Sequence, residues 1–173
     1  VQGMANAGVQ SAIKHYPGLG AVTGNTDFTT DDILDTTTTL DGTEIKAFDT
    51  TIDQADPAMV MMALATYQTI DPNDPAVFSS IIIDGHLRGD LGYDGVVISD
   101  SMSAAAVSAY DTTQLGVKLV EAGGDLACIG DTNYVAPILD GLSTRAASDP
   151  AFANKVTQSA IRVMTLKIKM GLA

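Results

Sequence analysis

Asp100 closes the apolar run GVVISD, which delivers a carboxylate to the end of a strand buried on both faces. Barrels and open sheets of the α/β type place their reactive groups at that C-terminal edge, where a carboxylate can serve as nucleophile, acid or base. The same aspartate could cap a helix beginning around Ser101 to Ala106, and its position alone leaves both roles open. Lys14 and His15 stand at the end of another apolar run, followed by Pro17 and by Gly18, Gly20 and Gly24, which let backbone approach a ligand closely. Such a pair can grip hydroxyls, or it can be a salt bridge beside a satisfied core histidine. The glycine loop ends in Asn25, Thr26 and Asp27, a second carboxylate within reach of the first pair in sequence.

Other chemistries fit the residues poorly. The glycine loop lacks a Gly-Lys-Ser/Thr ending, so it is no Walker phosphate cradle, and no Gly-x-Ser-x-Gly elbow occurs. His15, His86 and Cys128 show no metal-ligand spacing; His86 reads as a helix-surface residue and Cys128 as a buried thiol. Nine basic against 21 acidic residues leave a net charge of −12, which disfavours nucleic acid and anionic lipid as partners. No apolar run approaches the roughly 20 residues of a membrane span. Few lysines with abundant Thr and Asp favour a secreted or cell-envelope location.

The elements that must hold these groups follow from the apolar pattern. Short apolar runs at Val9 to Ile13, Met59 to Leu64, Gly95 to Ser99 and Leu126 to Ile129 predict parallel strands, with Met59, Met61 and Met62 as strand core. Between them, FSSIIIDGHLRGDLG predicts a helix capped at Ser79 or Ser80, with Ile82, Ile83 and Leu87 inward and a stop by Gly92. TTQLGVKLVEAGG predicts another, capped at Thr112 or Thr113, burying Leu115, Leu119 and Val120 and ending at Gly123. The last helix has Asp149 as cap and Pro150 in its first turn, with Phe152, Val156, Ala160 and Val163 on its inner face. The Thr- and Asp-rich stretch 27–56 reads as irregular, with a short helix around Thr43 to Ile52. Alternating strands and helices over 173 residues predict one α/β domain or part of one.

Four blocks in this order, KHYPGLG, PAMVMMALATYQTIDPNDPAVFS, LRGDLGYDGVVISDSM and EAGGDLACIG, resemble the catalytic barrel of glycoside hydrolase family 3, in its β-N-acetylglucosaminidase branch. The resemblance runs over nearly the whole chain. It implies a fold of about four βα units, the C-terminal half of a TIM-like (β/α)8 barrel. Residues 1–173 would then be one partial domain, inactive alone and completed by the N-terminal half of the barrel on the same or a separate chain. The opening residues, with neither initiator Met nor targeting segment, likewise read as the interior of something longer.

The resemblance makes Asp100 the nucleophile of a retaining glycosidase that removes terminal β-linked N-acetylglucosamine, with peptidoglycan fragments as a candidate source. The two carboxyl groups of such an enzyme typically lie about 5 to 5.5 Å apart. Lys14 and His15 match the pair that binds sugar hydroxyls in relatives, and no metal or organic cofactor is implied. One feature departs from the branch: its loop carries Asp-x-His as acid/base pair, whereas this chain has Asn25 and Asp27 at those positions. Asp27 is therefore the first candidate for acid/base, with Asp31 and Asp32 behind it. Competing expectations are a non-catalytic carbohydrate-binding or scaffold homologue, and a phosphorolytic relative using phosphate in place of water.

Overall fold

A computed structural model of the protein describes residues 1–31 and 33–173. In chain order it contains α1 (Gln2–Asn6), β1 (Ala12–Tyr16), β2 (Leu34–Asp35), α2 (Thr43–Ala55), β3 (Met59–Met62), β4 (Thr66–Tyr67) and β5 (Asp71–Pro75). A wide helix, Ile81–Asp90, precedes β6 (Val96–Ser101); a 3-10 turn, Ala105–Val107, and α3 (Thr112–Glu121) follow. β7 (Leu126–Cys128), α4 (Val135–Ser148) and α5 (Pro150–Lys169) complete the chain.

The organising element is a four-stranded sheet of order β1-β3-β6-β7, parallel at every pairing. Strand alternation separates its two faces. Val60, Met62, Val97 and Ser99 are fully buried against the helices, whereas Met59, Met61, Ile98 and Leu126 stay partly exposed on the other face. The methionine cluster is thus split between a packed face and an open one, where the sequence suggested core throughout. The chain is α/β, with parallel strands joined through helical crossovers.

Several expectations need correction. The first strand lies at Ala12–Tyr16, three residues later than the apolar run, because Gly8 turns the chain with φ of +78° and leaves Val9 exposed. The strand continues through Lys14 and His15 with a shift of register between Ile13 and Tyr16, and parallel pairing resumes at Tyr16 with Met62. The helix after Ser80 is wide, with Gly85 N–H donating to the Ser80 carbonyl and Leu91 N–H to that of His86, five residues back. Ser79 caps it, accepting the Ile82 N–H at 3.3 Å. His86 is buried at 8% exposure between Asp49 (3.5 Å) and Asp90 (3.0 Å), so it is no surface residue. Cys128 is partly exposed, because β7 is an edge strand.

Asp111, not a threonine, caps α3, accepting the Thr113 N–H at 2.8 Å. Gly123 ends that region with φ of +103°, and a Cβ there would run into the Asp84 carboxylate. Asp149 caps α5 through the Ala151 and Phe152 N–H groups. On α5 Ala160 is exposed, and Ser159 takes the inward place because its hydroxyl donates to the Gly124 carbonyl at 2.8 Å. Neither α4 nor the small sheet of order β2-β4-β5 was expected.

The end of the sheet opposite the C-terminal edge is locked by one buried carboxylate. Asp125, its side chain fully buried, accepts from Arg88 at 2.6 Å, from Arg162 at 3.0 Å and from the Val97 N–H at 2.8 Å. Arg88 also donates to the carbonyls of Tyr93 and Gly95, so the wide helix, β6, β7 and α5 share one network. No described helix is long and apolar enough to cross a membrane.

Candidate active site

β1 and β6 end at the same edge of the sheet, with β3 between them. That edge carries His15 and Asp100, and His15 Nε2 lies 3.4 Å from Asp100 Oδ2. Asp100 belongs to the strand itself, and its Oδ1 accepts the Ser101 N–H at 2.8 Å. It does not cap a helix: the next helical turn begins only at Ala105. Both side chains remain about one-fifth exposed, accessible to a solute yet partly shielded from bulk water.

The loop after β1 folds back over this edge. Its first turn is fixed by Gly18, whose φ of +133° is a backbone state that side chains rarely adopt, and whose carbonyl accepts from the buried Tyr67 hydroxyl at 2.7 Å. Its far end is a tight turn in which the Asn25 carbonyl accepts the Phe28 and Thr29 N–H groups and Asn25 Oδ1 accepts the Asp27 N–H at 3.0 Å. Thr26 is buried, while Asp27 and Phe28 are exposed. A cavity of about 410 Å³ results, lined by Lys14, His15, Asn25, Thr26, Asp27 and Asp100.

The structure therefore brings Lys14, His15, Asp27 and Asp100 to one cleft. Asp31 is not among the residues lining it, and Asp32 lies outside the described residues. The polarity of the cleft suits a hydroxylated ligand: one ammonium, one imidazole and two carboxylates around a space of this volume. Leu19 and Thr23 also line it, though nothing in their types distinguishes them in the sequence from other loop residues. Among the described residues no group of three or more His, Cys, Asp or Glu is placed to hold a metal.

Residues 1–166 match the family model described as the glycosyl hydrolase family 3 N terminal domain. The chain belongs to glycosyl hydrolase family 3. It is similar to the β-hexosaminidase of Alkalilimnicola ehrlichii, 35% identical over 75% of this chain and 37% of the relative. It is also similar to β-hexosaminidase LpqI of Mycobacterium tuberculosis, 30% identical over 96% of this chain and 44% of the relative. Among solved structures, the β-N-acetylhexosaminidase of Beutenbergia cavernae superposes with a TM-score of 0.90 at 41% identity, over 95% of this chain and 49% of that one. The family 3 β-N-acetylglucosaminidase of a Paenibacillus species gives 0.86 at 29% identity, over 99% and 33%. The family 3 chain thus spans less than half the length of these curated relatives.

Proposed function

We propose that this family 3 chain forms the C-terminal half of the catalytic barrel of a retaining glycosidase that releases terminal β-linked N-acetylglucosamine. The observation that carries the reading is the cleft itself, where Asp27 and Asp100 line one cavity with Lys14 and His15. The names of the similar proteins, β-hexosaminidases and β-N-acetylglucosaminidases, support the substrate class.

In the first step the Asp100 carboxylate attacks the anomeric carbon, and the bond to the glycosidic oxygen breaks. That oxygen takes the proton of Asp27, so the aglycone leaves as an alcohol. In the second step the Asp27 carboxylate removes a proton from water, the water oxygen attacks the same carbon, and Asp100 is released. Lys14 donates to sugar hydroxyls, and His15 borders the nucleophile. Neither step calls for a metal or an organic cofactor.

The partly exposed sheet face at Met59, Met61, Ile98 and Leu126, with β1 and β7 as sheet edges, supports completion of the barrel by an N-terminal half. On this reading residues 1–173 are one partial domain, and activity belongs to the completed barrel.

A second reading, a carbohydrate-binding homologue without turnover, is favoured by one observation: the loop lining the cleft holds no histidine, with Asn25 and Asp27 at the positions where the resemblance puts an Asp-x-His pair. The test uses the completed barrel with an activated aryl N-acetylglucosaminide. Turnover with a trapped glycosyl-enzyme, lost in Asp100→Ala, supports the glycosidase; binding with no covalent intermediate and no turnover supports the binder. Asp27→Ala should slow unactivated substrates by roughly 10²-fold or more and spare activated ones, since acid catalysis matters most for poor leaving groups.

A further inference from the structure

The 3-10 turn after Asp100 begins at Ala105 and has no cap of its own. Its N-cap residue is Ala104, which offers no side-chain acceptor, and no side chain caps the turn. The first N–H groups of a helical turn have no partner inside it and need one from elsewhere. Here they are met by the loop: Ala105 N–H donates to the Asp27 carbonyl at 3.3 Å and Ala106 N–H to the Thr26 carbonyl at 3.1 Å.

Three further observations belong to the same arrangement. Thr26 is buried at 5% exposure, so the loop is packed down at this point as well as hydrogen-bonded. The turn Asn25–Thr29 is braced internally by the Asn25 carbonyl and side chain, so holding two of its carbonyls holds the whole turn. Only four residues separate Asp100 from Ala105, and Ser101 and Met102 among them are tied to β6 and to the Cys128 carbonyl.

We infer that the Ala105–Ala106 backbone is a positioning device that sets Asp27 against Asp100, the loop serving as the cap that the turn after the nucleophile lacks. Ala105 and Ala106 are positioning residues: they act through Asp27 and need not touch substrate. The alanines suit the role because a short side chain lets the loop carbonyls approach. This inference rests on the reading of Asp27 as acid/base.

Ala105→Pro tests it. Ala104 has φ of −71° and ψ of 152°, which a residue preceding proline accepts, and proline fits the first position of a helical turn. The substitution removes the N–H and puts ring carbon against the Asp27 carbonyl. In the completed barrel it is expected to slow an unactivated N-acetylglucosaminide by about tenfold or more while changing an activated aryl glycoside less than about threefold, because misplacement of a catalytic group by an ångström costs up to roughly 10²-fold. Ala105→Gly keeps the donor and should behave as the parent on both.

In the double variant with Asp27→Ala, Ala105→Pro should add no further loss on the unactivated substrate. Equal losses on both substrates, or a full additional loss in the double variant, would overturn the inference while leaving Asp27 as acid. Absence of any leaving-group effect in Asp27→Ala alone would instead remove the reading beneath it. Amide exchange on the parent protein gives a second readout that needs no variant to fold: Ala105 and Ala106 should exchange more slowly than Ala109, and equal rates would overturn the clamp.

Discussion

His15 Nε2 lies 3.4 Å from Oδ2 of Asp100, while the other carboxylate oxygen accepts the Ser101 N–H at 2.8 Å. The two residues come from strands that are not neighbours, with β3 between them. The contact exists because both side chains project at the same edge of a parallel sheet. Each oxygen of the carboxylate therefore has a polar neighbour, which fixes the orientation of the side chain at the sheet edge.

His15→Asn is expected to lower kcat/KM of the completed barrel by about 10- to 100-fold, the worth of one or two hydrogen bonds to a charged group. Steady-state kinetics on an activated aryl N-acetylglucosaminide read it. An unchanged kcat/KM would mean that His15 neither supports Asp100 nor holds the sugar.

At the other end of the sheet, Asp125→Ala should destabilise the fold by about 3 to 5 kcal/mol, since it strips a buried carboxylate from Arg88. Arg162 is more exposed and can turn to water; Arg88 cannot. Adding Arg88→Met to Asp125→Ala should recover part of the loss by removing the stranded charge. Urea midpoints of the two variants decide this, with equal midpoints counting against a buried-charge penalty.

These two carboxylates show where sequence reading reaches and where it stops. Asp100 was legible because a β-branched run leads straight into it, as β3 and the Asp149–Pro150 start of α5 were legible from local chemistry. Asp125 follows two glycines and looks like a turn residue; its value comes from Arg88 and Arg162, each 37 residues away in sequence. His86 looked like a surface residue for the same reason, because Asp49 arrives from a different helix. The offset of β1 has another cause. Its pairing is made by backbone, so the strand runs on past the Lys-His pair that breaks the apolar pattern, with a shift of register between Ile13 and Tyr16. Asp27 could be located in the loop from sequence, but the capping of Ala105 and Ala106 by its turn could not, since those contacts span about 80 residues.

Four of the five tyrosines should ionise late: the partly exposed Tyr110, raised by burial and by Asp74, and three that are buried. Burial raises Tyr16, Tyr67 and Tyr93 above the ordinary phenol value, with Asp49 adding to the effect at Tyr16 and Asp35 at Tyr67, while Arg88 opposes it at Tyr93. A raised folded-state value means their contribution to stability is complete below the unfolded value of about 10 and declines as pH rises above it. Phenolate absorbance should therefore show these groups titrating only together with alkaline unfolding. A smooth, reversible titration of all five near pH 10 would contradict their burial.

Acid should act through Asp35. Burial pushes its carboxyl up, but the Thr38 hydroxyl and N–H and the Thr37 N–H and hydroxyl outweigh it, at 2.6 to 3.3 Å, and hold it below the usual carboxylate range. With the folded value below the unfolded one, the stabilisation is complete above about pH 3.9 and is lost as pH falls through the folded value. Asp35→Asn keeps the shape and removes the charge. It should cost about 1 to 2 kcal/mol at pH 7, where the charged hydrogen bonds are fully formed, and progressively less in acid. Denaturation at pH 7 and again near pH 3 reads the difference between parent and variant. The gap should narrow as pH falls, because protonation takes from the parent what the substitution has already removed; a gap constant with pH would mean that Asp35 holds its turn by shape and not by charge.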